Sequence, residues 1–187
     1  MNNNLIQYIY GIADNSLILG QRLGELCGHG PSLETDIAMT NISLDLFGQV
    51  RSYFQYAAKL QGENVTEDTI AFLRKEREYK NVLLVEQPNV DFAYSITRQF
   101  LFDVYHLLLL EELQNSKDEM LSAIAKKSIK EVSYHIRFSS DWIKRLGDGT
   151  EESHDRIQTA INDLWEFTDE FFHTTDADKI MISEGIG

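Results

Sequence analysis

Cysteine and proline are almost absent from this chain of 187 residues. The single cysteine, Cys27, excludes an intrachain disulfide and any Cys-x-x-Cys metal site, so nothing in the sequence implies an oxidising compartment. Only Pro31 and Pro88 interrupt the chain, and the long proline-free segments favour helices over many short strands. We therefore expect a helical protein whose stability does not depend on disulfides.

The sequence also lacks segments that would direct it to a membrane. Its first residues, Met-Asn-Asn-Asn, have neither the basic start nor the apolar stretch of a signal peptide. The longest apolar run near a helix centre is the four leucines 107–110, far short of the roughly 20 apolar residues that span a bilayer. We therefore expect a cytoplasmic protein.

Basic residues are scarce, with 17 Lys and Arg against 30 Asp and Glu, for a net charge of −13. Such a surface repels nucleic acids and anionic membranes, which excludes both as partners. Two interpretations of the charge stay open. It serves solubility alone, or it complements a more basic protein partner.

Apolar residues, 43% of the chain, recur at steps of three and four and predict six helices in one domain over residues 1–187. Ser32, Thr66 and Thr150 are the expected N-caps of the second, third and sixth helices. The predicted helices span residues 5–26, 33–60, a shorter charged helix after Thr66 that includes 74–78, 91–114, 117–146 and 151–173.

The first, second, fourth and fifth of these helices exceed twenty residues and predict an all-α antiparallel four-helix bundle, with the third and sixth helices appended. The charged run 74–78 is expected to be a solvated helix face. Residues 82–85 resemble a strand that has no second strand to pair with, and residues 174–187 are expected to lie on the surface.

Ionisable residues interrupt the apolar stripes of three predicted helices, at Asp45, at Asp103 with His106, and at Glu131 with His135. Carboxylates and histidines at steps of three on bundle helices are how di-iron sites are built, with a Glu from each of two helices and Glu-x-x-His from each of the other two. The spacing of Asp103 and His106 matches half of this pattern, with Asp in place of Glu.

The rest of the di-iron pattern is broken. Val132 stands three residues before His135 and Gly48 three residues after Asp45, and neither can ligate a metal. The first helix offers only Gln21 and Glu25. We therefore favour a buried structural cluster over a bound metal pair, and expect no catalytic, cofactor or metal site. The degenerate ligand positions that would form this cluster are Asp45, Asp103, His106, Glu131 and His135.

Several blocks of sequence resemble the C subunit of the phenylacetyl-CoA epoxidase complex, also called the phenylacetate-CoA oxygenase. They span almost the whole chain in order, and together they are specific. They are residues 14–25, Cys27-Gly28-His29 with Pro31, 41–49, 85–89, 129–131, 134–139, 145–150 and 183–186.

The resemblance implies a ferritin-like fold and a place in aerobic phenylacetate catabolism. It implies that the di-iron centre and the phenylacetyl-CoA site belong to a related, catalytic A subunit, and that a reductase supplies electrons from NADPH. The C subunit is then a structural, degenerate relative of the catalytic one. Members of the family continue beyond the Glu-Gly-Ile segment at 184–186, whereas this chain stops at Gly187. We therefore expect its C-terminal region to be truncated relative to the family.

Three functions can be considered from the sequence. The favoured one is a non-catalytic structural subunit in a homo- or hetero-oligomer with the A subunit, with the reductase as a further partner, and with no cofactor bound by this chain. The alternative is a di-iron oxygenase or oxidase that is catalytic in its own right with atypical ligands. A ferritin-like metal store is the least supported, because the ligand set is incomplete.

Overall fold

The structure is a computed structural model that describes residues 2–62 and 64–187. Within these residues the chain forms α-helices joined by turns and two 3₁₀ segments, Glu76–Glu78 and Thr168–Phe172, and contains no strand. The helices are α1 (Asn2–Glu25), α2 (Leu33–Gln61), α3 (Glu67–Phe72), α4 (Leu83–Glu86), α5 (Phe92–Leu113), α6 (Glu119–Gly147), α7 (Glu151–Trp165) and α8 (Asp176–Glu184).

Side-chain caps fix where most of these helices begin. The Ser32, Thr66 and Thr150 hydroxyls each accept a hydrogen bond from the backbone N–H three residues later, as the sequence predicts. Asp91 and Asp118 cap α5 and α6 in the same way. Capping satisfies backbone donors that have no partner inside a helix, so it sets the first residue sharply.

The turn between α1 and α2 depends on glycine. Gly28 has φ +84°, a left-handed conformation that costs glycine little and other residues more. The Asp36 carboxylate then accepts hydrogen bonds from the backbone N–H groups of Gly28 and Gly30, at 2.9 and 3.0 Å. These bonds lower the pKa of Asp36 and fold the turn back onto the start of α2.

The helices α1, α2, α5 and α6 form an all-α ferritin-like four-helix bundle, and the shorter helices pack around it. α1 packs along α2, and α5 along α6. α2 and α6 run antiparallel, because Asp45 faces His135 while Gln49, further along α2, faces the earlier residue Glu131. No helix in the described part of the chain is long and apolar enough to cross a membrane.

The apolar interior is divided into two clusters. In the first, Ile9 of α1 packs with Tyr53, Leu110 and Leu121, and in the second, Leu19 packs with residues such as Ile96. Buried polar side chains interrupt this apolar interior, and we call six of them, on α2, α5 and α6, the polar layer. They are Gln49, Gln99, Asp103, His106, His135 and Ser139.

Residues 75–78 are exposed, as a solvated charge run should be, but the expected helix does not extend through them and Arg74 is not solvated. α3 ends at Phe72, and a single 3₁₀ turn, Glu76–Glu78, follows. The Arg74 side chain is only 10% exposed and pairs with the fully buried Asp14 of α1. In the sequence alone this charge run resembles a solvent-exposed face. Its first residue, Arg74, is nevertheless largely buried, because it pairs with Asp14 on α1.

The strand-like run at residues 82–85 is helical instead. α4 covers Leu83–Glu86 and packs against α1 and α5, with Leu84 and Val85 fully buried. A continuous apolar run of this length is equally suited to a buried helical turn, because periodicity cannot distinguish the two.

The helix predicted over 151–173 is too long, because α7 ends at Trp165. The chain continues as the 3₁₀ segment Thr168–Phe172, in which the Phe171 ring stacks on Tyr105 of α5 with centroids 4.2 Å apart. Phe171, which continues the apolar pattern of α7, therefore packs on α5 from a 3₁₀ segment and not from a continuous α-helix.

Residues 174–187 lie mostly on the surface, as expected, but they also contain a further helix that the sequence did not predict. α8 begins with a capping box of Thr175 and Asp178 and packs on α1, burying Met181 completely. Gly185 (φ +73°) ends it in a left-handed conformation, and its carbonyl accepts a hydrogen bond from the Lys117 backbone N–H at 3.0 Å. The segment is therefore attached to both α1 and the start of α6.

Candidate functional site

Asp103 lies at the centre of the polar layer and is fully buried on α5. Its carboxyl oxygens lie 2.6 Å from Gln99 Nε2 and 2.7 Å from Ser139 Oγ. Burial raises the pKa of Asp103 to about 8, although both hydrogen bonds act to lower it. The side chain is therefore mostly a neutral acid at pH 7, held between two neutral polar groups.

His106, one turn along α5, is a neutral imidazole. Burial, assisted by the nearby His135, lowers the pKa of His106 to about 3. Its ring lies against Phe102, with centroids 4.9 Å apart. Among the described protein atoms neither ring nitrogen has a hydrogen-bond partner. His106 therefore makes no hydrogen bond to the carboxylates of the expected cluster.

His135 of α6 makes the one direct bond among the five predicted residues. Its Nε2 lies 3.0 Å from Asp45 Oδ2; His135 is fully buried, whereas the Asp45 side chain is 40% exposed. Burial lowers the pKa of His135, against the opposing influence of Asp45 and Glu131. Near pH 7 the contact is thus a hydrogen bond from neutral imidazole to carboxylate, with Nδ1 left as an acceptor.

Glu131 points toward α2 and not toward the histidines. Its Oε2 accepts a hydrogen bond from Gln49 Nε2 at 2.9 Å, near the edge of the bundle. The five predicted residues therefore form three separate arrangements. Asp45 pairs with His135, Glu131 with Gln49, and Asp103 with Gln99 and Ser139, while His106 stands alone.

Sequence reasoning missed Gln49, Gln99 and Ser139, which supply these hydrogen bonds. Gln99 stands four residues before Asp103 and Ser139 four residues after His135, so each lies on the same helix face as a predicted residue. Helical spacing could have found both. Gln49 follows Gly48 on α2, and only the packing of α2 against α6 reveals its role.

These side chains do not fit a di-iron centre. Both carboxyl oxygens of Asp103 already have hydrogen-bond partners, Gln99 and Ser139. Val132 is a fully buried apolar residue. On α1, Gln21 is exposed, and Glu25 pairs with Arg22 at 3.1 Å. No group of three or more His, Cys, Asp or Glu side chains in residues 2–62 and 64–187 is placed to hold a metal ion.

A second polar arrangement joins α1 to the segment after α3. Arg74 Nη1 donates to Asp14 Oδ2 at 2.8 Å, and the Lys80 backbone N–H donates to the same oxygen at 2.8 Å. The Arg74 guanidinium also lies over the rings of Tyr79 and Tyr10, 4.2 and 4.6 Å from their centroids. The Asp14 carboxylate therefore has two hydrogen-bond donors, and the Arg74 guanidinium contacts both this carboxylate and two aromatic rings.

Arg98 of α5 secures the turn before that helix. It is fully buried and donates to the Gln87 carbonyl and, at 2.6 Å, to Asn89 Oδ1. Burial lowers the pKa of Arg98 to about 10, which still leaves it charged at pH 7. Asn89 in turn donates to the Arg22 carbonyl at 2.8 Å. The 85–89 block thus connects α5 to the end of α1.

The amino-acid sequence of this chain is similar to those of known proteins. The sequence model of the phenylacetic acid catabolic protein family matches residues 1–187. A relative from Escherichia coli (strain K12), named as the C subunit of 1,2-phenylacetyl-CoA epoxidase, is 51% identical over 184 residues, which cover 98% of this chain and 74% of the relative. The chain therefore belongs to the phenylacetic acid catabolic protein family.

Proposed function

We propose that this chain is the non-catalytic structural subunit of a cytoplasmic multicomponent di-iron oxygenase that epoxidises the ring of phenylacetyl-CoA in aerobic phenylacetate catabolism. The name of its E. coli relative supports the reaction and the membership of a complex. The state of Asp103 supports the non-catalytic role. Its carboxyl is hydrogen-bonded to Gln99 and Ser139, and Gly48 and Val132 stand at two other positions where the di-iron pattern needs ligands.

In this proposal the oxygen chemistry belongs to the di-iron centre of the catalytic A subunit, and electrons reach it from NADPH through the reductase. This chain contributes rigidity. Metal sites require their ligands to be held within about half an ångström, and a neighbouring bundle can provide that support. The buried ion pair of Arg74 with Asp14 makes this chain suited to the task, because its geometry is fixed by several hydrogen bonds at once.

The experiment is reconstitution from separately purified parts. Catalytic subunit, reductase, NADPH and phenylacetyl-CoA are combined with and without this chain, and consumption of phenylacetyl-CoA is measured. We expect turnover only when both this chain and the catalytic subunit have been added. Equal turnover without this chain would contradict a structural role, and substrate oxidation by this chain without the catalytic subunit would establish the alternative, an oxygenase in its own right.

Iron content provides an independent measurement. The chain purified from iron-replete medium should contain far less than one iron per chain, while the catalytic subunit holds the di-iron centre. About two irons per chain, lost in Asp103→Ala, would show that the polar layer is a metal site.

A further inference from the structure

The outward face of α2 carries a stripe of exposed residues at heptad spacing. On one side of this face Ser43 donates to the Gly20 carbonyl of α1, at 2.7 Å. On the other side Asp45 pairs with His135 of α6. The residues between recur at alternating steps of three and four, the spacing with which two helices pack side by side. All seven are exposed, and we call them the α2 stripe: Glu34, Ile37, Asn41, Leu44, Gly48, Arg51 and Gln55.

The middle of the α2 stripe has both projections and a recess. Ile37 is 51% exposed and Leu44 61%, although single exposed apolar residues are ordinary on a protein surface. These two stand seven residues apart, which places them on the same side of the helix two turns from each other. At Gly48 the surface is open, because apart from the adjoining helix turn no described segment lies within 4 Å of where a β-carbon would be.

The shapes of two α2 stripes match when the helices run antiparallel about a two-fold axis midway between residues 42 and 43. Ile37 then lies opposite Gly48 of the second copy, so a large side chain meets the recess. Leu44 lies opposite Asn41 of the second copy. The two-fold axis repeats both contacts, which doubles the apolar surface covered. Parallel pairing would instead place Gly48 against Gly48 and leave a gap, which packed interfaces avoid.

The charges of the stripe also match in the antiparallel arrangement. Glu34 lies opposite Arg51 of the second copy, and the two-fold axis repeats this contact at the other end. Arg51 is 72% exposed, and its contact with Glu67 is long at 3.6 Å, so its charge is available to a partner. Parallel pairing would place Glu34 against Glu34 and Arg51 against Arg51, which is repulsive.

The net charge of −13 does not prevent such a pairing. It repels two copies at long range, but at physiological ionic strength salt screens the repulsion over about 8 Å. The α2 stripe itself carries one acid, Glu34, and one base, Arg51, so the surfaces that meet are neutral overall.

We propose that the α2 stripe is the surface through which two copies of this chain form an antiparallel two-fold dimer. The second copy is the partner whose face is complementary in shape and in charge, because it is the same face reversed. The inference goes beyond the proposed function and does not rest on it. Within a complex of the kind proposed above, the dimer would place two structural subunits back to back.

Sedimentation velocity of the full chain tests the surface, over about 1–100 µM protein. The stripe variant is Ile37→Glu with Leu44→Glu. Its matched control is Ile182→Glu with Leu108→Glu, which changes the same residue types at similar exposure, 56% and 57%, and adds the same charge on other helices. Thermal melting establishes that both variants are folded, and the corresponding Gln variants replace both if the stripe variant fails to fold.

We expect wild type and control to dimerise with dissociation constants within about twofold of each other. The stripe variant should dimerise at least about a hundredfold more weakly, because the dimer would bury its added carboxylates without partners. A wild-type chain that stays monomeric at about 100 µM, or equal weakening in both variants, would overturn the proposal.

A charge swap tests the antiparallel arrangement. Glu34→Arg alone and Arg51→Glu alone each set like charges opposite one another, so each should weaken the dimer about tenfold in about 50 mM salt. An equimolar mixture of the two single variants should recover the wild-type dissociation constant within about threefold, because every such contact in the mixed dimer again joins opposite charges. If the mixture does not recover, the antiparallel pairing is wrong.

The catalytic subunit is the competing occupant of this face. If wild type is monomeric, and the stripe variant but not the control loses binding to the purified catalytic subunit, the face belongs to that protein and the dimer proposal is wrong. The proposed function is judged separately, because turnover in the reconstitution with wild-type chain does not depend on the outcome of the sedimentation experiment.

Discussion

Replacing Arg74 by alanine tests whether the segment after α3 is held by a buried ion pair. Asp14 is fully buried, and its carboxylate is engaged by Arg74 and by the Lys80 backbone N–H. Arg74→Ala removes the cation and leaves the carboxylate buried with a single donor. The substitution also empties the space between the Tyr10 and Tyr79 rings.

The expected cost is large. Removing one partner of a buried pair typically costs about 3–5 kcal/mol, because the other charge remains buried without compensation. Each lost cation–π contact adds about 0.5–1 kcal/mol. For a protein of this length, 1 kcal/mol corresponds to about 2–4 °C in melting temperature, so the loss of the ion pair alone should lower Tm by roughly 6–20 °C.

Arg77→Ala is the matched control, because Arg77 is exposed and belongs to the same charged run. Its effect on the free energy of unfolding should be within about 0.5 kcal/mol, as for most surface substitutions. Both variants are measured by urea denaturation and thermal melting at pH 7. If Arg74→Ala is no more destabilising than Arg77→Ala, the ion pair is solvated in solution and our description of this segment is wrong.

Two further predictions concern the polar layer and α8. The pKa of Asp103 is raised to about 8 in the folded protein, so between its ordinary value near 3.8 and pH 8 the folded state binds more protons than the unfolded state. The contribution of Asp103 therefore makes the free energy of unfolding fall as pH rises through this window. Asp103→Asn should flatten this decline, measured by urea denaturation between pH 6.5 and 8. An unchanged slope would show that Asp103 is already ionised. For α8, Met181→Ala should cost about 2–5 kcal/mol because Met181 is fully buried, whereas Ile182→Ala, at a residue 56% exposed, should cost far less. Equal small effects would show that α8 does not pack on α1 in solution.

The four long helices were predictable because their apolar periodicity persists over more than twenty residues and their caps are explicit. Ser32, Thr66 and Thr150 all cap the helices that the sequence assigns to them. The end of α7 was not predictable in the same way, because no glycine or proline lies between Trp165 and Phe171. The apolar residues up to Phe171 continue the helical pattern while the backbone changes to a 3₁₀ segment.

The candidate site shows a different limit. Spacing on one helix identifies which residues share a face, and it singled out Asp103, His106 and His135, all of which are buried. It cannot identify partners on other helices, so the bonds from Ser139 to Asp103 and from Gln49 to Glu131 appear only in the folded structure. The burial of Asp14 and Arg74 was missed for the same reason, since their pairing spans sixty residues of sequence.

The most direct test of the central claim is turnover of a complex reconstituted with Asp103→Asn. Asparagine matches a protonated aspartic acid in shape, because its oxygen can accept from Gln99 Nε2 and its amide can donate to Ser139 Oγ. It cannot supply the anionic oxygen that iron ligation requires. A structural subunit predicts assembly and phenylacetyl-CoA turnover within about twofold of wild type. A loss of turnover of about a hundredfold or more in an intact complex, the scale of a missing catalytic group, would contradict the account.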